Sequence, residues 1–275
     1  MLVQAADVAK LRKVTGAGMM DCKKALTEAD GDFDRAIQII RERGQAIANK
    51  RADREATEGA VIAKISNDGK SGAIIALNCE TDFVAKNEDF VKLAHKICDL
   101  ALAKLPADLK TFLSLDLDGK TVEETVLIQS GITGEKMEVA YYDKIVSEYV
   151  QPYIHIGNKL ATLVGFNKAG FDVQIAKDVA MQVAAMSPVS ISEKDVPAEV
   201  VAEELLIAKE KARLEGKAED MLDKIAQGRL SKFYKESTLL NQASVKDNKL
   251  TIAQVLTNAS AGLTVTAMKR YALKA

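Results

Sequence analysis

At 275 residues, 48% of them apolar and 28% charged, the chain has the composition of a soluble globular protein with room for two or three small domains. Its 38 Lys+Arg balance 39 Asp+Glu, which argues against nucleic acid as the main ligand, because phosphate binding normally leaves a basic excess. Cys22, Cys79 and Cys98 are isolated, without a CxxC pair, and no stretch nears the roughly 20 apolar residues of a membrane span, so a cytoplasmic protein without a membrane partner is expected. The opening MLVQAADVAKLRK lacks the apolar core of a secretion signal.

The first 44 residues read as three short helices. Cys22, Ala25, Leu26 and Ala29 fall at i, i+3, i+4 and i+7 in the second, and Phe33, Ala36, Ile37 and Ile40 repeat that spacing in the third. Asp30-Gly31 marks the turn between them, and Asp32 stands as an N-cap. Gly44, after Arg41-Glu42-Arg43, reads as a C-cap. Residues 45–58 are charged and poor in large apolar groups, which predicts a partly helical linker.

From Gly59 the period changes. AVIAKI, a turn around Asp68-Gly69 and GAIIALN predict a β-hairpin. A helix follows, with Asn87 as its cap and Phe90, Leu93, Ala94, Ile97 and Ala101 on one face. Next come a short helix near 121–129, strands in EVAYYDKIVSEYV and KLATLVGFN, and a helix at about 172–186. Strand hairpin, loop and helix thus occur twice, as a loose echo without residue register. Across 197–236, Val201, Leu205, Ala208 and Ala212 form one stripe, and Ala218, Met221, Leu222, Ile225 and Ala226 another. Gly216-Lys217 between them predicts two antiparallel helices with too little core to stand alone. TIAQVLTNA reads as a helix and LTVTAMKRYALKA as a last strand.

Catalytic and cofactor motifs are missing. No GxxxxGK[ST] occurs, and Gly16-Ala17-Gly18 only begins a GxGxxG, with Asp21 where the last glycine belongs and no strand before it. His95 and His155 form neither HExxH nor a zinc-spaced cluster. Cys79 and Cys98 lie in apolar patterns and read as buried structural thiols. No catalytic residue, metal site or cofactor is expected, and the chain reads as a non-enzyme.

Two stretches are distinctive. LRKVTGAGMMDCKKALTEADGDFDRAI (11–37) closely resembles the N-terminal module of the elongation factor Ts family, the nucleotide-exchange factors of the translational GTPase elongation factor Tu. NCETDFVAKNEDF (78–90) is similar to that family's other signature, with TDFV intact at 81–84. Weaker agreement runs through YIHIGNKLATLVGF, MQVAAMSP and GRLSKFYKESTLLNQ. The resemblance implies an α+β fold. Its parts are a three-helix ubiquitin-associated-like docking module at 1–44, the linker at 45–58, and a two-part α/β core with antiparallel sheets. The core halves are 59–143, and 144–196 with 237–275; a helical hairpin is inserted at 197–236. It further implies no cofactor, binding to elongation factor Tu·GDP, displacement of that GTPase's Mg²⁺, and GDP release so that GTP can bind. There are two departures. Gln182 stands where the family usually has His, and the sequence ends at TAMKRYALKA where some members carry a further helix that touches the GTPase.

Carried onto this sequence, the resemblance assigns Thr81, Asp82, Phe83 and Val84 to partner binding and Mg²⁺ displacement. Gly16, Gly18, Met19 and Met20 are assigned to docking, His155 to a further partner contact, and 197–236 to self-association. On the residues alone Phe83 has two readings. It can plug the gap between sheet and helix, as a buried Phe commonly does. Alternatively, lying outside the Phe90–Ala101 stripe and beside Asp82 in a loop, it is presented to a partner. Met19 and Met20 can fill the small core, but neighbours at a helix start cannot both face inward. A rival function is a ubiquitin-associated-like or ribosome-associated adaptor that uses the N-terminal helices without exchange activity.

Overall fold

The computed structural model describes residues 3–51 and 53–274. Three helices come first: α1 (Ala5–Thr15), α2 (Met19–Glu28) and α3 (Phe33–Lys50). A hairpin of β1 (Glu58–Ile65) and β2 (Ser71–Cys79) leads into α4 (Asp82–Ala85), α5 (Glu88–Lys104), α6 (Leu109–Leu113) and α7 (Val122–Thr133). β3 (Glu138–Val146), β4 (Tyr149–Ile154) and β5 (Leu160–Phe166) precede α8 (Val173–Met186). Two long helices, α9 (Ala198–Leu214) and α10 (Leu222–Ser237), then α11 (Ile252–Ala259) and β6 (Val265–Ala272), complete the fold. The α+β class with antiparallel sheets stands as expected.

The two sheets share one plan. In the first the order is β1-β2-β3, in the second β4-β5-β6, and every pairing is antiparallel. In each, the central strand feeds the helix that covers the outer face: β2 leads to α5 and β5 to α8. Strand alternation then builds four layers. Ile74 and Ala76 of β2 face the second sheet, where Val150, Ala161 and Leu163 meet them. Ala73, Ile75 and Leu77 point the other way, against Phe90, Ala94, Ile97, Cys98 and Ala101 of α5. With both faces covered, β2 reads as a continuous apolar run rather than an alternating one. Val164 and Phe166 of β5 pack in the same manner under α8 and α11.

Two local expectations need correction. The stretch EVAYYDKIVSEYV is two strands in different sheets, β3 and β4, because the chain crosses between sheets at Ser147, whose hydroxyl donates to the Phe166 carbonyl at 2.8 Å. Gly44 is not a C-cap. α3 runs past it to Lys50, so the first part of the expected linker, 45–50, is helix. Gly44 instead meets α7 at close quarters. A Cβ on Gly131 would stand 2.6 Å from the Gly44 Cα, and one on Gly44 would stand 3.2 Å from the Leu127 carbonyl oxygen. Only two glycines let these helix backbones approach so closely.

Gln182 is fully buried in α8. Its amide nitrogen donates to Gln242 and to the Ala243 carbonyl, both at 3.1 Å, and its oxygen accepts the Val245 N–H at 2.8 Å. With three hydrogen bonds to an internal loop and no exposed surface, this side chain is not presented to a partner.

Candidate partner-binding site

The stretch after β2 is a single helical turn, α4, capped at its start. Thr81 has extended backbone, and its hydroxyl accepts the Val84 N–H at 3.4 Å while donating to the Glu135 carboxylate at 2.6 Å. Asn87 caps the next helix by accepting the Asp89 N–H at 2.8 Å. Successive side chains on a helical turn lie about 100° apart, so the inward packing of Val84 and Ala85 against the α5 core aims Phe83 away from it. Phe83 is 85% exposed. Asp82 beside it pairs with Lys86 at 2.6 Å, and this hydrogen bond holds the Asp82 carboxyl below the usual carboxylate range, with a smaller contribution from Lys159. The four sequence-assigned residues therefore divide: Thr81 and Val84 anchor the turn, and Asp82 and Phe83 are shown to solvent.

Lys159 is a geometric link as well. It pairs with Glu58 at 2.8 Å at the start of β1 and bears electrostatically on Asp82. The β4–β5 turn is thus brought towards α4. In that turn His155 is exposed, with its Nδ1 at 2.9 Å from the Tyr153 hydroxyl. Ile156, which sequence reasoning passed over, is 94% exposed. Its signal was the one that exposed Phe83, a large apolar residue where a loop is ordinarily polar.

The N-terminal residues form a second group. Gly16 ends α1 in the left-handed conformation, φ 74°, and its N–H donates to the Arg12 carbonyl at 2.7 Å. Gly18 caps α2 with ordinary extended backbone. Met19 and Met20 are 51% and 63% exposed, so neither fills the small core, which Leu11, Cys22, Ala25 and Leu26 close without them. The two groups approach each other at α7. Ile132 of α7 packs on the N-terminal core, and Gly16, Val84, Phe90, Leu93, Ile132 and Met137 line one groove of about 340 Å³.

No group of three or more His, Cys, Asp or Glu residues among those described is arranged to hold a metal ion. All three cysteines are buried. Burial pushes the Cys98 thiol up to about 12, and burial together with nearby Glu135 and Glu58 does the same to Cys79. Such thiols stay protonated and unreactive at neutral pH. None of the helices described is long and apolar enough to cross a membrane.

Fold and surface thus define an α+β protein whose conspicuous features are presented apolar side chains rather than a reactive centre. A family model described as elongation factor TS matches residues 80–275. Similar proteins include the elongation factor Ts of Amoebophilus asiaticus, 53% identical over 272 residues and covering 98% of both chains. That of Porphyromonas gingivalis is 51% identical over 276 residues, with both chains covered completely. That of Christiangramia forsetii is 48% identical over 272 residues, again 98% of each. The chain belongs to the elongation factor Ts family, which makes it a translation elongation factor of the nucleotide-exchange class. The full-length relatives extend the similarity across the N-terminal helices, which lie outside the span of the family model.

Proposed function

We propose that this chain binds elongation factor Tu·GDP, displaces its Mg²⁺ and releases GDP so that GTP can enter. The observation that carries the proposal is Phe83: 85% exposed on a turn whose other apolar residues, Val84 and Ala85, are packed and which lies between the caps Thr81 and Asn87. An exposed Phe forgoes about 1.5–3 kcal/mol that burial would supply. Insertion into a partner recovers that area at low entropic cost, as aromatic anchors do. Asp82 enters alongside as a fixed negative charge near the metal site. Once the elements that hold Mg²⁺ shift, the nucleotide phosphates lose their counter-charge and GDP departs. No covalent step is involved. Thermodynamic linkage requires that GDP weaken the factor's binding by the ratio in which the factor weakens GDP's.

Within this reading, residues 1–44 are the docking module, with Met19 and Met20 as anchors at the Gly16–Gly18 turn. The two core halves carry the Phe83 turn and the His155–Ile156 turn. The inserted hairpin serves self-association, a role supported by the exposure of Leu206, Leu214 and Met221.

The test is release of a fluorescent GDP analogue from elongation factor Tu. The chain is expected to accelerate release at catalytic concentrations and to bind no nucleotide itself. Unchanged release in the presence of a stable complex would establish an adaptor instead.

A further inference from the structure

The turn that carries Phe83 is four residues long, too short to hold its own direction. A one-turn helix forms few of its own hydrogen bonds, and its first amides have no intrahelical acceptor. Sheet pairing does not hold it either, because the β2–β3 ladder ends at Asn78–Glu138. Beyond that point two carboxylates take over. Glu135 accepts the Glu80 N–H at 3.2 Å, the Thr81 N–H at 3.0 Å and the Thr81 hydroxyl at 2.6 Å. Glu80 returns the bond by accepting the Lys136 N–H at 2.6 Å, and its own carboxylate is gripped by Arg51 at 2.9 and 2.8 Å.

Glu135 follows directly on Gly134, the left-handed cap of α7. α7 is also the helix on which the N-terminal module rests, through Gly44–Gly131 and Ile132. One helix end therefore fixes both the turn that bears Phe83 and the base of the turn that bears Met19 and Met20. We propose that Glu135 is a positioning residue of the exchange site, its carboxylate holding Asp82 and Phe83 in a set direction relative to the docked methionine turn. This inference rests on the exchange reading above.

The role gives a pattern that mere stability does not. Glu135→Ala leaves Phe83 present but unaimed. Encounter and docking should survive, so the factor concentration for half-maximal exchange should stay nearly constant, while the maximal rate should fall about tenfold or more, as small misplacements of acting groups do. Glu135→Gln should restore most of the rate. Its amide oxygen can accept both N–H groups and its NH₂ can donate to the Thr81 hydroxyl. Because Glu135 acts through Phe83 and, to a smaller degree, Asp82, the double variant Phe83→Ala/Glu135→Ala should lose far less than the sum of the two single losses.

The outcomes separate. Should Phe83→Ala lose rate while Glu135→Ala keeps it, or should the two losses add in full, the positioning role is overturned and the exchange reading survives. Should Phe83→Ala itself exchange normally, both fall. A variant-free measurement covers the case in which Glu135→Ala does not fold. In the free wild-type chain the Glu80 and Thr81 amides should exchange hydrogen at least about tenfold more slowly than those of Asp82 and Phe83. Equal rates at the four positions would overturn the proposal.

Discussion

Single residues in this protein divide sharply by where their bonds go. Thr81 and Val84 spend theirs inward, and Asp82 and Phe83 do not. Met20 belongs with Phe83: it is well exposed beside Lys23, Lys24 and Arg43. Met20→Ala should therefore leave the melting temperature nearly unchanged, since surface substitutions usually stay within about 0.5 kcal/mol. It should weaken the complex with elongation factor Tu mainly through faster dissociation. A large drop in melting temperature with unaltered dissociation would return Met20 to the core. Sequence patterning went far at this scale. Phe83 stood out as an apolar residue outside the α5 stripe and Asn87 stood at a helix start, whereas 81–84 read as a loop rather than as the single turn α4 that Thr81 caps. Periodicity could not separate Val84 from Phe83, because a one-turn helix is too short to show a period. Glu135 was invisible for another reason: TGEKMEV reads as an ordinary polar loop, and its partners lie far away in sequence at Glu80 and Thr81.

Among the elements, α7 joins the N-terminal module to the Phe83 turn, and the Gly44–Gly131 contact tests this. Gly131→Ala gains roughly 1 kcal/mol of helix propensity. Its Cβ, however, would stand 2.6 Å from the Gly44 Cα, a backbone atom that cannot step aside. Overpacking of this kind costs about 1–3 kcal/mol, so net destabilisation is expected. Gly228 in α10 is the control, because nothing lies within 4 Å of a Cβ placed there. Gly228→Ala should stabilise by about 0.5–1 kcal/mol. Thermal melts of the two variants should move in opposite directions; a stabilised Gly131→Ala would mean that α3 and α7 do not meet as closely as described. A glycine after a basic run is a standard C-cap signal, and a helix-crossing glycine looks the same until its neighbour is known. Sequence spacing therefore misplaced the end of α3. By contrast, the amphipathic stripe of α5 and the α9–α10 hairpin were legible, because each long helix records its buried face every third or fourth residue. Ala218 and Met221, assigned to the second stripe of that hairpin, nevertheless lie exposed ahead of α10.

At the scale of the whole molecule, the four-layer core seals its titratable groups, and this sets an alkaline limit. The folded chain holds the Cys79 and Cys98 protons up to about pH 12, whereas the unfolded chain releases them from about pH 9. The unfolded state thus binds fewer protons in that window. The stability these thiols contribute is complete below pH 9 and is lost as pH rises towards 12, at about 1.4 kcal/mol per pH unit for each. Half-buried Tyr141 and buried Tyr142, also raised, steepen the loss above pH 10. Melting temperature should accordingly be flat to pH 9 and fall beyond it. Iodoacetamide at pH 8 should modify Cys79 and Cys98 only after denaturation; labelling of the native chain at either would contradict their sealing. The repeated plan of strand hairpin, third strand and covering helix was half-visible in sequence. Its third strands, β3 and β6, were not placed, because pairing partners so distant along the chain leave no local trace.

The claim that this molecule acts by pressing a presented aromatic ring into its partner is tested most directly by Phe83→Ala. Two quantities are read from one preparation: the melting temperature of the free chain, and the rate of GDP release from elongation factor Tu at saturating factor. For a presented ring, the melting temperature should barely move, because few contacts are lost. The rate should drop about tenfold or more, equivalent to roughly 1.4 kcal/mol of barrier. A buried ring would instead cost about 3–5 kcal/mol of stability. A Phe83→Ala protein that melts many degrees lower, yet exchanges normally per folded molecule, would contradict the claim.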